Sequence, residues 1–297
     1  MMENLKLYNN VEIPPIGMGT FPLEGQKMVV AVDAALSCGY RAFDTAYGYG
    51  NDDSLGIALR KALTKYGMTR QDVFITTKVG DLLNHGAPTG TYFYNSPSCL
   101  SKDFKKNVMD QIESAFRHLH TDYLDLLLIH HPFPDCHTEI WGYLEEAYRT
   151  GKVRAIGVSN YGERHLKQLT AHASVKPMVN QFEHHPLNTK KHLVDYCRNT
   201  GIQVEAYSPL LVMNPNFVNS KVFMALADKY GKSIPQIILR WDVQLGIIPI
   251  PKSGNPGRLK ENISVFDFEL TDAEMEMIDA LNQDFKLIPE SVYCPGY

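Results

Sequence analysis

The sequence predicts an α/β protein folded as a single (β/α)8 TIM barrel, with an N-terminal β-hairpin and a long loop after the third barrel strand. Three observations lead there. Eight short apolar runs alternate with amphipathic segments of helical period, and no linker divides them. Glycine follows the helical patterns at Gly39, Gly67, Gly151, Gly201 and Gly231, where a helix end favours the left-handed conformation. The 297 residues suit one barrel, which takes roughly 250 residues or more. A doubly wound sheet is the rival, but no G-x-G-x-x-G stands between a strand and a helix to hold a nucleotide there.

The elements follow in order. KLYNNVEIP reads as a small hairpin turning at Asn9-Asn10. The predicted barrel strands are PIGMGT (15–20), RAFDTA (41–46), VFITTKV (73–79), YLDLLLIH (123–130), VRAIGVSN (153–160), MVNQFE (178–183), QVEAYSP (203–209) and GIIPIPK (246–252). Between them, GQKMVVAVDAALSCG, DDSLGIALRKALTKYG, KKNVMDQIESAFRHL and FVNSKVFMALADKYG carry the spacing of amphipathic helices. Residues 80–101, GDLLNHGAPTGTYFYNSPSCLS, break the rhythm as a long polar loop. Following the third strand, it would lie over the active end of the barrel, with a dispensable surface insertion as the alternative. The C-terminal NQDFKLIPESVYCPGY is aromatic and non-helical, and is expected to fold back over the same end.

Composition excludes several classes of function. The net charge of −4 gives no field that favours nucleic acid or anionic membranes. YLDLLLI is far too short to cross a bilayer, and MMENLKLYNN lacks the apolar stretch of a signal peptide, so a cytoplasmic protein is expected. Cys38, Cys99, Cys136, Cys197 and Cys294 are odd in number, widely spaced and without a C-x-x-C. They predict reduced thiols rather than a disulfide framework or a zinc ribbon.

FDTAYGYG (43–50) ends an apolar run on an acid and places a tyrosine in the Gly-rich turn beyond. Alternate residues of a barrel strand share a face. Ala42 and Asp44 therefore point one way on the second strand, Thr76 and Lys78 on the third, and Leu126, Leu128 and His130 on the fourth. Asp44, Lys78 and His130 all project into the mouth, beside Tyr49. An ammonium next to a tyrosine favours phenolate and lowers the phenol pKa from about 10. An aspartate keeps that lysine charged and oriented, and a histidine adds an orienting hydrogen bond. Such a group can donate a proton to a carbonyl oxygen, which needs a hydride or carbanion partner and so asks for a cofactor.

GMGT, FDTAYGYGND, TTKV, YLDLLLIHHP, GKVRAIGVSNY, VNQFEHHP, EAYSPL and IPKSGNPGRLKENISVFDFELT together resemble the aldo-keto reductase family, its compact bacterial members above all. The resemblance covers nearly the whole chain. It implies a (β/α)8 barrel that binds NADPH, less often NADH, without a Rossmann domain, and a small-molecule carbonyl substrate. It further implies a catalytic tetrad of Asp44, Tyr49, Lys78 and His130, with Tyr49 the general acid. Gly19 and Thr20 fall beside the cofactor; Ser159, Asn160 and Gln181 hold the nicotinamide carboxamide, and Tyr207 stacks on its ring. Ser208 and Leu210 run along the pyrophosphate; Lys252, Ser253 and Arg258 take the 2′-phosphate, and Glu261 and Asn262 the adenine. A lysine, a hydroxyl and a guanidinium all donate to phosphate oxygens, which favours NADPH over NADH.

The chain departs from the family pattern in places. Phe21 and His131 stand where many relatives line the substrate pocket with tryptophan or, at the second position, glutamine. Gly254 and Gly257 replace bulkier residues in the phosphate segment, and the 80–101 loop is longer than in compact members. A metal-dependent hydrolase would draw on His130-His131 and His184-His185, but adjacent strand residues face opposite ways and there is no H-x-H or H-E-x-x-H, so no metal is expected. A regulatory, NADPH-sensing protein with little turnover is the alternative to the enzyme. The family resemblance points to a monomer.

Overall fold

The computed structural model describes residues 3–80, 104–133 and 136–288. The chain opens with β1 (Leu5–Lys6) and β2 (Glu12–Ile13), antiparallel with Leu5 opposite Ile13. Their turn passes through Asn10 at φ 67°, and Val11 N donates to Asn9 Oδ1 at 3.2 Å, so the asparagine pair makes the turn as its chemistry suggests.

The barrel follows as β3 (Gly17–Gly19), α1 (Gly25–Cys38), β4 (Ala42–Asp44), α2 (Asp52–Tyr66), β5 (Phe74–Val79), α3 (Phe104–His118), β6 (Leu124–Ile129), α4 (His137–Arg149) and β7 (Val153–Ser159). It continues with α5 (Glu163–Thr170), β8 (Val179–Glu183), α6 (Lys191–Thr200), β9 (Gln203–Tyr207), α7 (Pro215–Val218), α8 (Lys221–Tyr230), α9 (Ile234–Gln244) and β10 (Ile248–Pro249). Beyond it lie α10 (Pro256–Ile263) and α11 (Asp272–Asp279). Strands β3 to β10 pair in parallel in chain order. A parallel bridge between Gly19 and Lys252 closes the ring, so the sheet has no open edge. The β1–β2 hairpin lies across the N-terminal end, where Asn9 Nδ2 donates to the carbonyl of Arg154 at the start of β7, 3.0 Å away. That leaves the C-terminal end for chemistry.

Phe43, Ile75, Leu127, Ile156 and Phe182 belong to one continuous buried core between barrel and helices. A second cluster, built on Phe217, Phe223, Ile237, Trp241 and Ile278, joins α7, α8, α9 and α11. The single helix expected over FVNSKVFMALADKYG is two, α7 and α8. Ser220 ends the first by accepting from Phe223 N and capping the second, the competition with helix interior that serine offers.

After α11 no further helix follows among the described residues. Leu287 N and Ile288 N donate to the Glu183 carboxylate at 2.6 and 3.1 Å, which returns the chain to the C-terminal end of β8 as expected. Residues 289–297, and the expected loop after strand three beyond Gly80, lie outside the described residues. Cys38 and Cys197 are free, in line with the reduced thiols expected at these two positions, and Cys99 and Cys294 lie outside the described residues.

Candidate active site

Asp44 ends β4, Lys78 is the penultimate residue of β5, and His130 follows β6 directly, so three neighbouring strands deliver three side chains to one mouth. Lys78 is completely buried. A buried ammonium is tolerated only when paired and hydrogen-bonded. Here Nζ donates to Asp44 Oδ1 at 2.7 Å, Asp44 Oδ2 at 2.8 Å and the Thr45 carbonyl at 2.9 Å. The Tyr49 hydroxyl lies 3.5 Å from the same nitrogen. Tyr49 ends a 3-10 turn, Tyr47–Tyr49, closed by Gly50 at φ 67°. Its ring meets His130 edge-on at 5.7 Å and Phe21 at 5.0 Å. His131 stacks on His130 at 4.5 Å. All four predicted catalytic residues and both predicted pocket residues therefore meet.

The loop that carries Tyr49 is held by a residue the sequence reading did not single out. Asn51, buried, accepts from Thr45 Oγ1 at 2.8 Å and donates to the carbonyls of Leu23 at 3.0 Å and Thr20 at 3.3 Å. It ties the loop after β3 to the loop after β4. Thr20, predicted beside the cofactor, is fully buried and gives its hydroxyl proton to the Asp44 carbonyl at 2.9 Å.

A second group forms on β7, β8 and β9. Asn160, at φ 64°, donates to the His130 carbonyl at 3.0 Å and accepts the Tyr207 hydroxyl at 2.8 Å. Ser159 Oγ donates to the Gln181 carbonyl at 3.0 Å. Gln181 Nε2 donates to Asp44 Oδ2 at 2.9 Å and to Glu205 Oε2 at 3.0 Å, which joins this group to the Lys78 pair. Glu205 is the other residue missed from sequence. It lies on β9 two residues before Tyr207 and hence on the same face, which is the signal that would have found it. Burial pushes its carboxyl up to about 7, the Asp44 charge adds to the rise, and Gln181 and Lys78 work against it.

The third group follows β10. Lys252 bridges to Gly19; Ser253 and Asn262 are buried, and Lys252 and Arg258 are exposed around the start of α10, where Asn255 Oδ1 caps Arg258 N at 3.1 Å. Ser208 at φ 52° and half-buried Leu210 lead out of β9, and Glu261 lies within α10. Two features fit a pyridine nucleotide. Among the described residues no hydrogen bond falls on Gln181 Oε1, and neither Lys252 nor Arg258 has a carboxylate partner. The first suits an amide N–H, and the second suits a phosphate at a helix N-terminus.

A (β/α)8 barrel whose strand ends gather a lysine–aspartate pair, a tyrosine and a histidine is the frame of an NADP-dependent oxidoreductase. The chain belongs to the aldo/keto reductase family, whose model matches residues 15–212 and 214–283. It is 44% identical over 285 residues to the oxidoreductase YtbE of Bacillus subtilis, covering 96% of this chain and 94% of that one. It is 41% identical over 290 residues to glyoxal reductase of the same organism, covering 97% and 96%. The crystal structure of a Bombyx mori aldo-keto reductase in complex with NADP superposes with a TM-score of 0.85 at 31% identity, covering 99% of each chain. Among the described residues no helix is long and apolar enough to cross a membrane.

Proposed function

We propose that this protein reduces small aldehydes, ketones and dicarbonyls to alcohols with NADPH, and that Tyr49 is the general acid. The observation that carries the reading is the buried Lys78 ammonium, held by three oxygens and 3.5 Å from the Tyr49 hydroxyl. When bound, the reduced nicotinamide supplies the hydride for the carbonyl carbon. Tyr49 gives its proton to the carbonyl oxygen, and Lys78 offsets the negative charge left on the phenol oxygen. Asp44 keeps the ammonium in place. His130, edge-on to Tyr49, orients the carbonyl oxygen by a hydrogen bond, and Phe21 and His131 line the substrate side.

Gln181, Ser159, Asn160 and Tyr207 hold the nicotinamide end, with Gly19 and Thr20 behind them. Ser208 and Leu210 follow the pyrophosphate. Lys252, Ser253 and Arg258 take the 2′-phosphate, and Glu261 and Asn262 the adenine. Lys252 and Arg258, without a carboxylate partner among the described residues, favour NADPH over NADH, and the glyoxal reductase relative makes small dicarbonyls the first substrates to try.

NADPH consumption with a panel of dicarbonyls, aromatic aldehydes and aldoses tests the reading, with wild type beside Tyr49→Phe. Turnover by the variant is expected to fall on the order of 10²–10⁴-fold, while NADPH affinity stays near wild type. A variant that keeps most of its activity would remove Tyr49 from the acid role. Tight NADPH binding by wild type with no turnover across the panel would favour a regulatory protein instead.

A further inference from the structure

One buried ionisable group beside the Asp44–Lys78 pair has no part in the mechanism. Glu205 is 3% exposed inside the barrel, in register with Gln181 on β8 and Ile248 on β10. A carboxyl there is costly, because it is desolvated and faces the Asp44 carboxylate. A position that served only packing would hold an apolar side chain, as Ile248 does next to it. The carboxyl makes a specific contact instead: Oε2 accepts one amide hydrogen of Gln181 at 3.0 Å, while Asp44 Oδ2 accepts the other at 2.9 Å. Asp44 Oδ2 is shared with Lys78, 2.8 Å away, so Asp44 alone is a divided anchor.

We propose that Glu205 is a positioning residue for the cofactor: it takes the second N–H of Gln181 and so fixes that amide with its oxygen presented to the nicotinamide carboxamide. The inference rests on the pyridine-nucleotide reading of the site. Two acceptors dictate which end of the amide faces the barrel floor, since an amide oxygen against two carboxyl groups finds no donor on an ionised one. Gln181 Oε1 is thereby left as an acceptor of fixed direction. The charged groups acting on Glu205 are Asp44 from β4 and Lys78 from β5; Gln181 on β8 is polar and neutral, and Ile248 on β10 is apolar. With its carboxyl raised to about 7, Glu205 gains charge as pH passes neutrality, and an anion there favours the positively charged oxidised nicotinamide over the neutral reduced one.

Dissociation constants for NADPH and NADP+, read by fluorescence and by competition from about pH 6 to about pH 8.5, test this in wild type, Glu205→Leu and Glu205→Gln. Circular dichroism checks that each variant is folded. Glu205→Leu is expected to weaken NADPH binding about tenfold. Glu205→Gln offers an amide oxygen to the same hydrogen and should recover that affinity. In wild type, preference for NADP+ over NADPH should rise across neutral pH, and in Glu205→Gln this rise should be lost. His130 is present in all three proteins, so a difference between them belongs to position 205. A folded Glu205→Leu that binds NADPH as wild type does overturns the proposal, as does a Glu205→Gln that keeps the wild-type pH course. The second comparison decides alone if the leucine variant does not fold. Wild type that binds neither nucleotide sinks the cofactor reading and this inference together; wild-type binding with indifferent variants sinks the inference only.

Discussion

Arg258 and Lys252 are exposed cations beside the start of α10 with no carboxylate to satisfy them among the described residues. A guanidinium that reads a 2′-phosphate distinguishes NADPH from NADH, which lacks that group. Arg258→Ala should therefore weaken NADPH by roughly ten- to a hundredfold and leave NADH nearly unchanged, as measured by titration of each nucleotide. Equal losses for both would show that Arg258 does not read the phosphate. At this scale the sequence was informative where period-two parity alone decides the outcome. Asp44, Lys78 and His130 could be aligned because each stands at or next to the C-terminal end of a strand and faces inward. Glu205 obeys the same parity, yet its meaning depends on Gln181 being its neighbour, and that follows only from the register of β8 on β9. Asn51 escaped for a similar reason, since its partners Thr20 and Leu23 belong to a different loop.

Helix α11 shows how an element is fixed from both sides by one carboxylate. Glu274 accepts from Thr271 N at 2.8 Å and Thr271 Oγ1 at 2.9 Å, the reciprocal cap of its own helix. It also accepts from Lys229 Nζ and Tyr230 OH on α8, each at 2.6 Å. Burial acts to raise this carboxyl, but Lys229, Tyr230 and Thr271 together hold it down to about 2 from an ordinary 4.5. As pH falls from about 4.5 to about 2, the unfolded chain takes up a proton that the native state refuses. The stabilisation is thus complete above about 4.5 and disappears toward about 2. Glu274→Gln should lower Tm by about 3 °C at neutral pH, and the gap from wild type should close as the acid end is approached. Thermal melts at several pH values check this, and a gap independent of pH would remove the ionised carboxylate from the account. α11 was not among the periodic segments read from the sequence, although Thr-x-x-Glu at its start is a capping pattern. The break between α7 and α8 was not legible either, because Ser220 fits an amphipathic helix as readily as a cap until packing selects one.

The whole molecule depends on closing the ring, and the seam is its thinnest part. β10 pairs with β9 through only Ile248 and Pro249, and Ile250 N donates to Ala206 O at 3.0 Å. On the other side Gly19 N donates to Pro251 O at 3.2 Å. The approach is so close that a Cβ on Gly19 would stand 2.9 Å from the Ile250 carbonyl oxygen, a backbone atom that cannot swing aside. Both ends of the site hang on this seam. Thr20, one residue on, holds the Asp44 carbonyl through its N–H at 3.1 Å and its hydroxyl at 2.9 Å, and Lys252 lies directly across the bridge. Gly19→Ala should consequently cost about 1–3 kcal/mol of stability and, on the proposed cofactor site, weaken NADPH binding as well, since spreading the strands moves Lys252 relative to Gln181 and Asn160. Gly142→Ala is the control. A Cβ there meets nothing within 4 Å on α4, so it should add about 0.5–1 kcal/mol and leave binding alone. Denaturant melts and NADPH titrations of both variants decide the matter. If Gly19→Ala melts like wild type, the seam yields more easily than its contacts imply; if it loses stability but keeps its affinity, closure and nucleotide binding are independent.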